Sequence, residues 1–244
     1  MEKNDTISND NMPRHLAIIM DGNGRWAEKR GLFRVLGHKN GVKTVRHIVE
    51  VCCELGIKYV SLYAFSLENW NRPKSEVSKL MDMLRSWTKK ELQTFQENNV
   101  KLNVIGNLDR LPADVSEDLK MVVEKTSSYD RMILTIAVSY SSRMEIVDAA
   151  KTIASDVSSG KIKVEDIDDV LFGKRLYTKD LPDVDLLIRT SGEQRVSNFL
   201  LWQISYAELY FTSVLWPDFK KTHLLKALQV YSNRNRRFGK LSEE

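Results

Sequence analysis

Residues 16–26, with the sequence LAIIMDGNGRW, constrain the fold more than any other stretch of the chain. The five consecutive apolar residues predict a buried strand of the parallel type. The run ends at Asp21, and a Gly-Asn-Gly turn and Arg25 follow it. In open α/β sheets, ligands bind in the crevice beyond the carboxyl ends of the strands. We therefore expect Asp21 to lie at a ligand site.

The turn itself indicates the chemistry of that ligand. Gly22 and Gly24 allow backbone N–H groups to approach an anion closely, and Arg25 adds positive charge. A carboxylate beside a phosphate cradle implies a divalent cation between the two, most simply Mg²⁺, because like charges repel. The stretch thus predicts a Mg²⁺-dependent site for a phosphorylated substrate.

Two other interpretations of the turn stay open at this point. The spacing Gly22-x-Gly24-x-x-Ala27 also fits the fingerprint of a nicotinamide or flavin site, and a purely structural turn is compatible with the sequence as well. The fingerprint requires an acidic residue about 20 residues further on. Glu68, which follows the second predicted strand, comes more than 40 residues after the glycines. A P-loop is excluded, because the chain has no Gly-x4-Gly-Lys-Ser/Thr motif.

Composition limits the class of protein. The 244 residues suffice for one large α/β domain, and no Pro/Gly-rich linker divides them. A net charge of +4 suits anionic small molecules or a membrane surface but is too small to argue for nucleic acid. No apolar run is long enough for a transmembrane helix. The adjacent Cys52 and Cys53 give neither a disulfide framework nor metal-ligand spacing, so we expect a cytoplasmic protein.

Apolar runs alternate with helical patterns along the chain. Strands are predicted at residues 16–20, 59–65, 101–105, 132–138 and 184–188, with a sixth suggested at 209–211. Between and after them, helices are expected at residues 37–55, 73–98, up to 125, 144–157 and after Pro217, with two short pieces within 160–180. This alternation predicts an α/β fold: a single domain with a mostly parallel six-stranded central sheet flanked by helices. Residues 1–12 are polar and are expected to form a disordered leader, and residues 13–244 the domain.

Polar clusters follow four of the predicted strands, and a parallel sheet brings all four to one edge. Together they supply donors for more than one phosphate group. Any single arginine is more simply a solvated surface group, but the set is harder to dismiss. Aromatic side chains lie beside these donors, and the predicted helix 73–98 carries an apolar stripe that could be core or the wall of an apolar pocket. Together, these features suit an isoprenoid diphosphate. The phosphate donors are Arg25, Arg34, His38, Arg72, Arg189, Arg195, Ser66 and Ser197, and the aromatics are Phe65 and Trp70.

Several long motifs resemble those of the cis-prenyltransferases. They are residues 20–27 (MDGNGRWA), Gly37-His38, 63–73 (YAFSLENWNRP), 185–193 (DLLIRTSGE), 195–203 (RVSNFLLWQ) and 206–211 (YAELYF). The resemblance runs from about residue 13 to residue 239. One stretch departs from the family pattern: Ser139-Tyr140-Ser141-Ser142-Arg143 stands where the family often has Asn-Tyr-Gly-Gly-Arg. This departure bears on local loop geometry more than on chemistry.

The resemblance implies a non-Rossmann fold with a hydrophobic tunnel, and an enzyme that condenses isopentenyl diphosphate repeatedly with an allylic diphosphate. Farnesyl diphosphate is the expected primer and undecaprenyl diphosphate, a lipid carrier for cell-wall synthesis, the expected product. Asp21 and Glu208 resemble the ligands of Mg²⁺, and Asp21 and Asn69 the catalytic residues. The residues implied in substrate binding are Gly22, Asn23, Gly24, Arg25, Trp26, Arg34, His38, Ser66, Leu67, Glu68, Trp70, Arg72, Arg189, Arg195, Val196 and Ser197.

The resemblance also implies partners. A homodimer is expected, with the closing motif that begins at Arg234 (RNRRFG, residues 234–239) reaching toward the partner's site. Peripheral association with the inner face of the membrane would serve product release. Two alternatives remain within this frame. One is a non-catalytic subunit on the same fold, which the intact Asp21, Asn69, Arg189, Arg195 and Glu208 argue against; the other is a synthase with a shorter product.

Overall fold

The apolar run at the start of the chain forms β1, His15–Ile19, whose five residues are all buried. The computed structural model describes residues 11–234, so residues 1–10 of the expected leader and residues 235–239 of the closing motif lie outside the described part. The other strands are β2 (Tyr59–Ser66), β3 (Val100–Ile105), β4 (Met132–Tyr140), β5 (Leu186–Arg189) and β6 (Glu208–Phe211). The helices are α1 (Asn23–Glu28), α2 (Arg34–Glu54), α3 (Lys74–Glu97), α4 (Ala113–Lys125), α5 (Ser142–Ser158), α6 (Asp169–Gly173) and α7 (Lys221–Ser232).

The six strands form one sheet in the order β3-β4-β2-β1-β5-β6, and every pair is parallel. The prediction of a six-stranded, mostly parallel sheet flanked by helices is therefore confirmed. Because all strands run the same way, the segments that follow β1, β2, β4 and β5 meet at one edge of the sheet. That edge carries the four polar clusters of the sequence.

Both faces of the sheet are covered, as the alternation of side chains along β1 shows. Leu16 and Ile18 pack into one apolar cluster with α2, α3, α4 and α7, whereas Ala17 and Ile19 pack into a second cluster on the opposite face. The second cluster contains Phe199 from the chain segment that follows β5. Continuous apolar runs instead of alternating ones are typical of such doubly covered strands.

Element boundaries differ from the predictions in places that matter for the site. Helix α2 begins at Arg34 instead of residue 37, because Phe33 adopts an extended conformation and serves as its N-cap. His38, predicted in the first turn, consequently lies in the second turn. Arg189 is the last residue of β5 instead of following it. Within the described residues, no helix combines the length and apolarity needed to cross a membrane.

Candidate active site

The glycines around the first turn let two helices approach each other closely. Gly22 adopts a φ of 108°, which an L side chain rarely tolerates, and it turns the chain from β1 into α1. A Cβ atom on Gly37 would lie 1.9 Å from the backbone oxygen of Asn23, and one on Gly41 would lie 2.2 Å from the Asn23 side-chain oxygen. Gly37 and Gly41 therefore hold the Gly22–Gly24 turn directly against α2.

Asp21 lies at the carboxyl end of β1 between two guanidinium groups. Its Oδ2 accepts a hydrogen bond from Arg189 Nη2 at 2.8 Å and lies 3.4 Å from Arg25 Nη2. Desolvation raises the pKa of Asp21, but the hydrogen bond and charge of Arg189, with the charge of Arg25, outweigh it and leave the pKa below its ordinary value. The carboxyl group is therefore ionised at neutral pH.

Arg189 connects Asp21 to the loop that follows β5. Its side chain is only 4% exposed, and its Nη1 donates to the Ser197 Oγ at 2.7 Å and to the Arg195 backbone oxygen at 2.6 Å. Residues with positive φ fold this loop back over the sheet edge, among them Ser191 and Ser197. The loop therefore brings Ser197 and Arg195 to the same edge as Asp21.

Glu193, quoted in the motifs but not assigned a role from the sequence, bridges two of the predicted binding residues. One carboxylate oxygen accepts from Arg25 Nη1 at 2.9 Å and the other from Arg195 Nη1 at 2.5 Å. Arg25 also donates to the Ser191 side chain and backbone oxygens. The guanidinium groups of Arg25 and Arg195 are thus held beside each other by one carboxylate.

A second set of cations lies across the cavity, where α2 meets the start of α3. Glu76 of α3 lies 3.1 Å from Arg72, 3.9 Å from Arg34 and 4.0 Å from His38. Desolvation, with the charges of Arg72 and Arg34, lowers the pKa of His38 to about 4 against the opposing effect of Glu76. His38 is therefore neutral at pH 7. Sequence reasoning missed Glu76, although its place four residues after Arg72, at the start of a helix, is a signal for such a pair.

The segment after β2 contributes a turn with defined polar contacts. The Ser66 backbone N–H donates to Asn69 Oδ1 at 3.2 Å, and both residues line the cavity. Trp70 donates from its indole N–H to the Ser139 Oγ at 3.0 Å and packs edge-on against Phe65, with ring centroids 5.2 Å apart. Trp70 therefore fastens this turn to the end of β4.

The serines that replace the family's usual Asn and Gly residues all have partners. Ser139 has a φ of 51° and accepts from Trp70, while Ser141 caps α5 and accepts from Asn198 Nδ2 at 2.7 Å. The Ser142 hydroxyl oxygen accepts from the Leu201 backbone N–H at 2.9 Å. Side-chain hydroxyls thus tie this turn to the loop after β5, and the departure from the pattern leaves the turn closed.

Beyond the polar edge, the cavity continues between α2, α3 and the sheet. Its volume is about 430 Å³. Its inner wall is apolar and comes from Val42, Val45, Leu62, Ala64, Leu80, Met81, Met83, Leu84, Trp87 and Ile136. The stripe of helix α3 is therefore both core and pocket wall. Of β4, Ile136 lines the cavity and Met132 and Leu134 do not, because Ile136 lies nearer the carboxyl edge of the sheet.

The sequence and the fold both match known proteins. A family model described as "Putative undecaprenyl diphosphate synthase" matches residues 19–239. The chain is 53% identical over 235 residues to an isoprenyl transferase of Geobacter sulfurreducens, with 96% of each chain covered. It is 48% identical over 234 residues to the ditrans,polycis-undecaprenyl-diphosphate synthase ((2E,6E)-farnesyl-diphosphate specific) of Pasteurella multocida, covering 96% of this chain and 98% of that one. This chain belongs to the undecaprenyl diphosphate synthase family.

Solved structures agree with this assignment. Lavandulyl diphosphate synthase from Lavandula x intermedia, solved with dimethylallyl diphosphate, superposes with a TM-score of 0.92 at 38% identity, covering 95% of this chain and 100% of that one. A probable undecaprenyl diphosphate synthase from Campylobacter jejuni superposes with a TM-score of 0.77 at 39% identity, covering 93% of this chain and 99% of that one. The predicted cis-prenyltransferase activity, elongation of a prenyl chain, is thereby confirmed.

The family motifs contribute unequally to the cavity of this synthase. Twelve of the predicted residues line it: Asp21, Gly22, Asn23, Gly24, Arg34, His38, Ser66, Asn69, Arg72, Arg189, Arg195 and Ser197. Another six fall outside that lining: Arg25, Trp26, Leu67, Glu68, Trp70 and Val196. Arg25 still contacts Asp21, whereas Trp26 donates to Asp218 at 2.7 Å and is stacked by Arg30. Glu68 instead accepts from Asn198 at 3.0 Å.

Glu208, expected beside Asp21 in a metal site, lies at the other end of the sheet in the same chain. It is the first residue of β6 and is in register with Leu186, and Leu186 is in register with Leu16. The five residues from Leu16 to Asp21 correspond to roughly 16 Å of extended chain. Glu208 pairs with Arg234 Nη1 at 2.5 Å. Parallel pairing therefore separates the two carboxylates within one chain, and the assignment of Glu208 to the metal site stays a prediction.

A buried acidic network behind the loop was also missed from the sequence. The carboxylate of Glu145 is fully buried in α5 and accepts from the Tyr140 hydroxyl at 2.5 Å, the Tyr177 N–H at 2.8 Å and Gln203 Nε2 at 3.2 Å. Desolvation raises the pKa of Glu145 despite these donors. The network connects β4 and α5 to the chain that follows Ser197, so it supports the loop from behind. A lone glutamate in a helical pattern gives no sequence signal of this role.

Proposed function

We propose that this enzyme condenses isopentenyl diphosphate with farnesyl diphosphate and extends the chain, with cis double bonds, to undecaprenyl diphosphate. The observation that carries the proposal is the division of one cavity into a cationic edge and an apolar interior. A molecule that fits both parts has an anionic head and a hydrocarbon tail. The names of the Pasteurella and Geobacter relatives support this substrate class.

We assign the allylic diphosphate to the edge formed by Gly22, Asn23, Gly24, Arg34 and His38. The glycines leave room for an anion beside the backbone, and Arg34 supplies a cation. His38 is neutral and largely buried, so it offers a single ring N–H to a phosphate oxygen without adding charge. Glu76 pairs with Arg72 and lies near Arg34, and a bound diphosphate would compete with it for both arginines.

Mg²⁺ fits this edge with Asp21 as its protein ligand. Among the described residues, Asp21 is the only acidic side chain that lines this cavity. The described part of the chain contains no cluster of three or more His, Cys, Asp or Glu side chains that could hold a metal ion. One ionised carboxylate suffices, because Mg²⁺ is usually held by one or two carboxylates together with substrate phosphates. Bound there, the ion would stabilise negative charge on the leaving diphosphate.

We assign isopentenyl diphosphate to Arg189, Arg195 and Ser197. These donors belong to β5 and the loop after it, whereas Arg34 and His38 belong to α2, so different elements of one cavity would hold the two diphosphates. Holding both reactants on one rigid edge aligns the isopentenyl double bond with the allylic carbon. Ser66 and Asn69 lie where they can position the isopentenyl group as its proton leaves. The growing chain would then move along the apolar wall of α3.

A homodimer near the cytoplasmic face of the membrane is part of the same proposal. Strand β6 is an edge strand; its residue Leu209 is 36% exposed, and Tyr206, which comes just before the strand, is 70% exposed. Met144 and Val147 on α5 are also exposed apolar residues. A second chain packing along β6 would cover Tyr206 and Leu209. The Glu208–Arg234 pair lies there too, so any role of Glu208 toward a metal ion would involve that neighbour.

Initial-rate kinetics of one pair of variants test the assignment of the two subsites. We expect Arg195→Ala to raise the KM for isopentenyl diphosphate at least tenfold while the KM for farnesyl diphosphate changes little, because a charge-assisted phosphate contact contributes roughly 1.5–3 kcal/mol. Arg175→Ala is the matched control, since Arg175 pairs with Asp156 away from the cavity. Equal increases in both KM values would contradict separate subsites.

A further inference from the structure

The connection between α1 and α2 exposes an unusual group of apolar side chains. Leu32 is 39% exposed, Phe33 83% and Leu36 36%. Isolated exposed apolar residues are common, but contiguous ones indicate an interaction surface. We call Leu32, Phe33 and Leu36 the apolar tip.

The backbone holds the apolar tip in place. The Leu32 N–H donates to the Ala27 carbonyl at 2.9 Å, and the Leu36 N–H donates to the Phe33 carbonyl at 2.9 Å. Phe33 is the N-cap of α2, and Leu36 follows it by three residues, so the two side chains lie on the same face of the helix. The side chains are therefore presented outward by ordered backbone, and little conformational entropy would be lost if a partner covered them.

Cations surround the apolar tip. Lys29, Arg30 and Lys39 are exposed, and Arg30 forms a partial pair with Asp218 at 3.2 Å. The nearest acid in the segment, Glu28, is already paired with Arg34 at 2.5 Å. Apolar side chains ringed by basic ones match the boundary between acyl chains and anionic headgroups. A protein surface would have to supply both an apolar recess and acidic groups.

The apolar tip is also next to the cavity, since Arg34 lines the cavity and directly follows Phe33. We propose that Leu32, Phe33 and Leu36 insert into an anionic lipid membrane, with Lys29, Arg30 and Lys39 contacting its headgroups. This inference rests on the proposed function, because a long polyprenyl product belongs in a membrane. Docking at this tip would bring the polar edge of the cavity to the lipid surface.

Vesicle sedimentation with the full-length chain tests the proposal. The probes are vesicles of phosphatidylcholine alone and of phosphatidylcholine with one third phosphatidylglycerol. The test variant is Phe33→Ser with Leu36→Ser; serine is a favoured N-cap, so α2 is expected to remain intact. The matched control is Val164→Ser with Val170→Ser, which removes two valines that are 66% and 59% exposed elsewhere on the surface.

We expect the wild type and the valine control to bind the phosphatidylglycerol vesicles, and to bind them less in high salt. The tip variant is expected to bind at least about tenfold more weakly, since burying a single large apolar side chain contributes a factor of that size. Equal binding by the tip variant and the valine control would overturn the proposal. So would a change from dimer to monomer in light scattering of the tip variant, because the tip would then be a protein interface.

Prenyl transfer in detergent solution separates this inference from the proposed function. The tip variant should retain the wild-type rate there, because neither substituted residue lines the cavity. If the wild type binds vesicles through the apolar tip but catalyses no prenyl transfer, the proposed function alone is overturned. If prenyl transfer is normal but the tip variant binds vesicles as well as the wild type does, the docking proposal alone is overturned.

Discussion

Replacing Gly37 with alanine tests the close packing of α1 on α2 that shapes the diphosphate edge. The added Cβ would lie 1.9 Å from the Asn23 backbone oxygen, whereas real Cβ contacts are essentially never below 3.0 Å. The two backbones must therefore separate by about 1.1 Å. Neither partner is the end of a flexible side chain, so no rotamer change can relieve the overlap.

Helix propensity and packing predict opposite signs for this substitution. In an exposed helix, Gly→Ala stabilises by about 1 kcal/mol. Here overpacking should dominate and lower the free energy of unfolding by about 1–3 kcal/mol. Because Asn23 and Gly24 move with α1, a displacement of about 1 Å should reduce kcat/KM for the allylic diphosphate roughly a hundredfold.

Urea unfolding and initial-rate kinetics measure the two effects. Gly173→Ala is the control, because Gly173 lies at the end of α6, has no positive φ, and has no neighbouring atom within 4 Å of the place that a Cβ would take. The control should be as stable and as active as the wild type. If Gly37→Ala were more stable than the wild type with unchanged kinetics, the argument from close approach would be refuted.

Three other substitutions test single side chains. Asp21→Ala should lower kcat about a thousandfold without unfolding the protein; a near-wild-type rate of labelled isopentenyl incorporation at saturating Mg²⁺ would contradict this. Because the pKa of His38 in the folded protein is lowered to about 4, the unfolded chain binds a proton at this residue before the folded protein does as the pH falls below about 6.5. The free energy of unfolding should therefore fall by about 2–3 kcal/mol as the pH is lowered from about 6.5 to about 4. In urea unfolding, His38→Asn should show a weaker pH dependence than the wild type. Glu145→Ala removes the acceptor of the Tyr140 hydroxyl and the Tyr177 N–H, while Gln203 keeps Thr178 as an acceptor. The substitution should lower the free energy of unfolding by about 3 kcal/mol, and equal urea midpoints would count against this.

The sheet and its ligand edge were predictable because their signals are local. Five buried residues in β1 leave a continuous apolar run, and the change to Asp21 and glycine marks the end of the strand. Parallel pairing then assigns Ser66, Ser139 and Arg189 to the same edge without knowledge of any contact. The strand order was not needed for that conclusion, since every order of parallel strands gives it.

Other features depended on contacts between distant segments. Glu208 comes at the start of its strand, and only the register of β6 against β5 shows that this end is remote from Asp21. Trp26 belongs to the same motif as Asp21, yet its indole is directed to Asp218 by the geometry of a short helix. The spacing of Glu76 indicates its pair with Arg72, but only the packing of α3 against α2 reveals Arg34 and His38 beside it. The partners of Glu145 likewise come from distant segments.

The start of helix α2 was predicted three residues too late. The sequence predicted a helix from residue 37, and helix α2 begins three residues earlier, at Arg34. The extended conformation of Phe33, the N-cap residue, sets the observed start of the helix. Three residues of error thus changed the predicted turn for His38 but not the edge on which it lies.

The most direct test of the central claim is an incubation of the purified protein with Mg²⁺, farnesyl diphosphate and labelled isopentenyl diphosphate, with the products separated by chain length. The account predicts a ladder of cis-prenyl products that ends at the undecaprenyl length and disappears with EDTA. A ladder that stops well short of that length would contradict the proposed product. Absence of incorporation, with no difference on adding EDTA, would contradict the assignment of Asp21 and its edge as a working catalytic site.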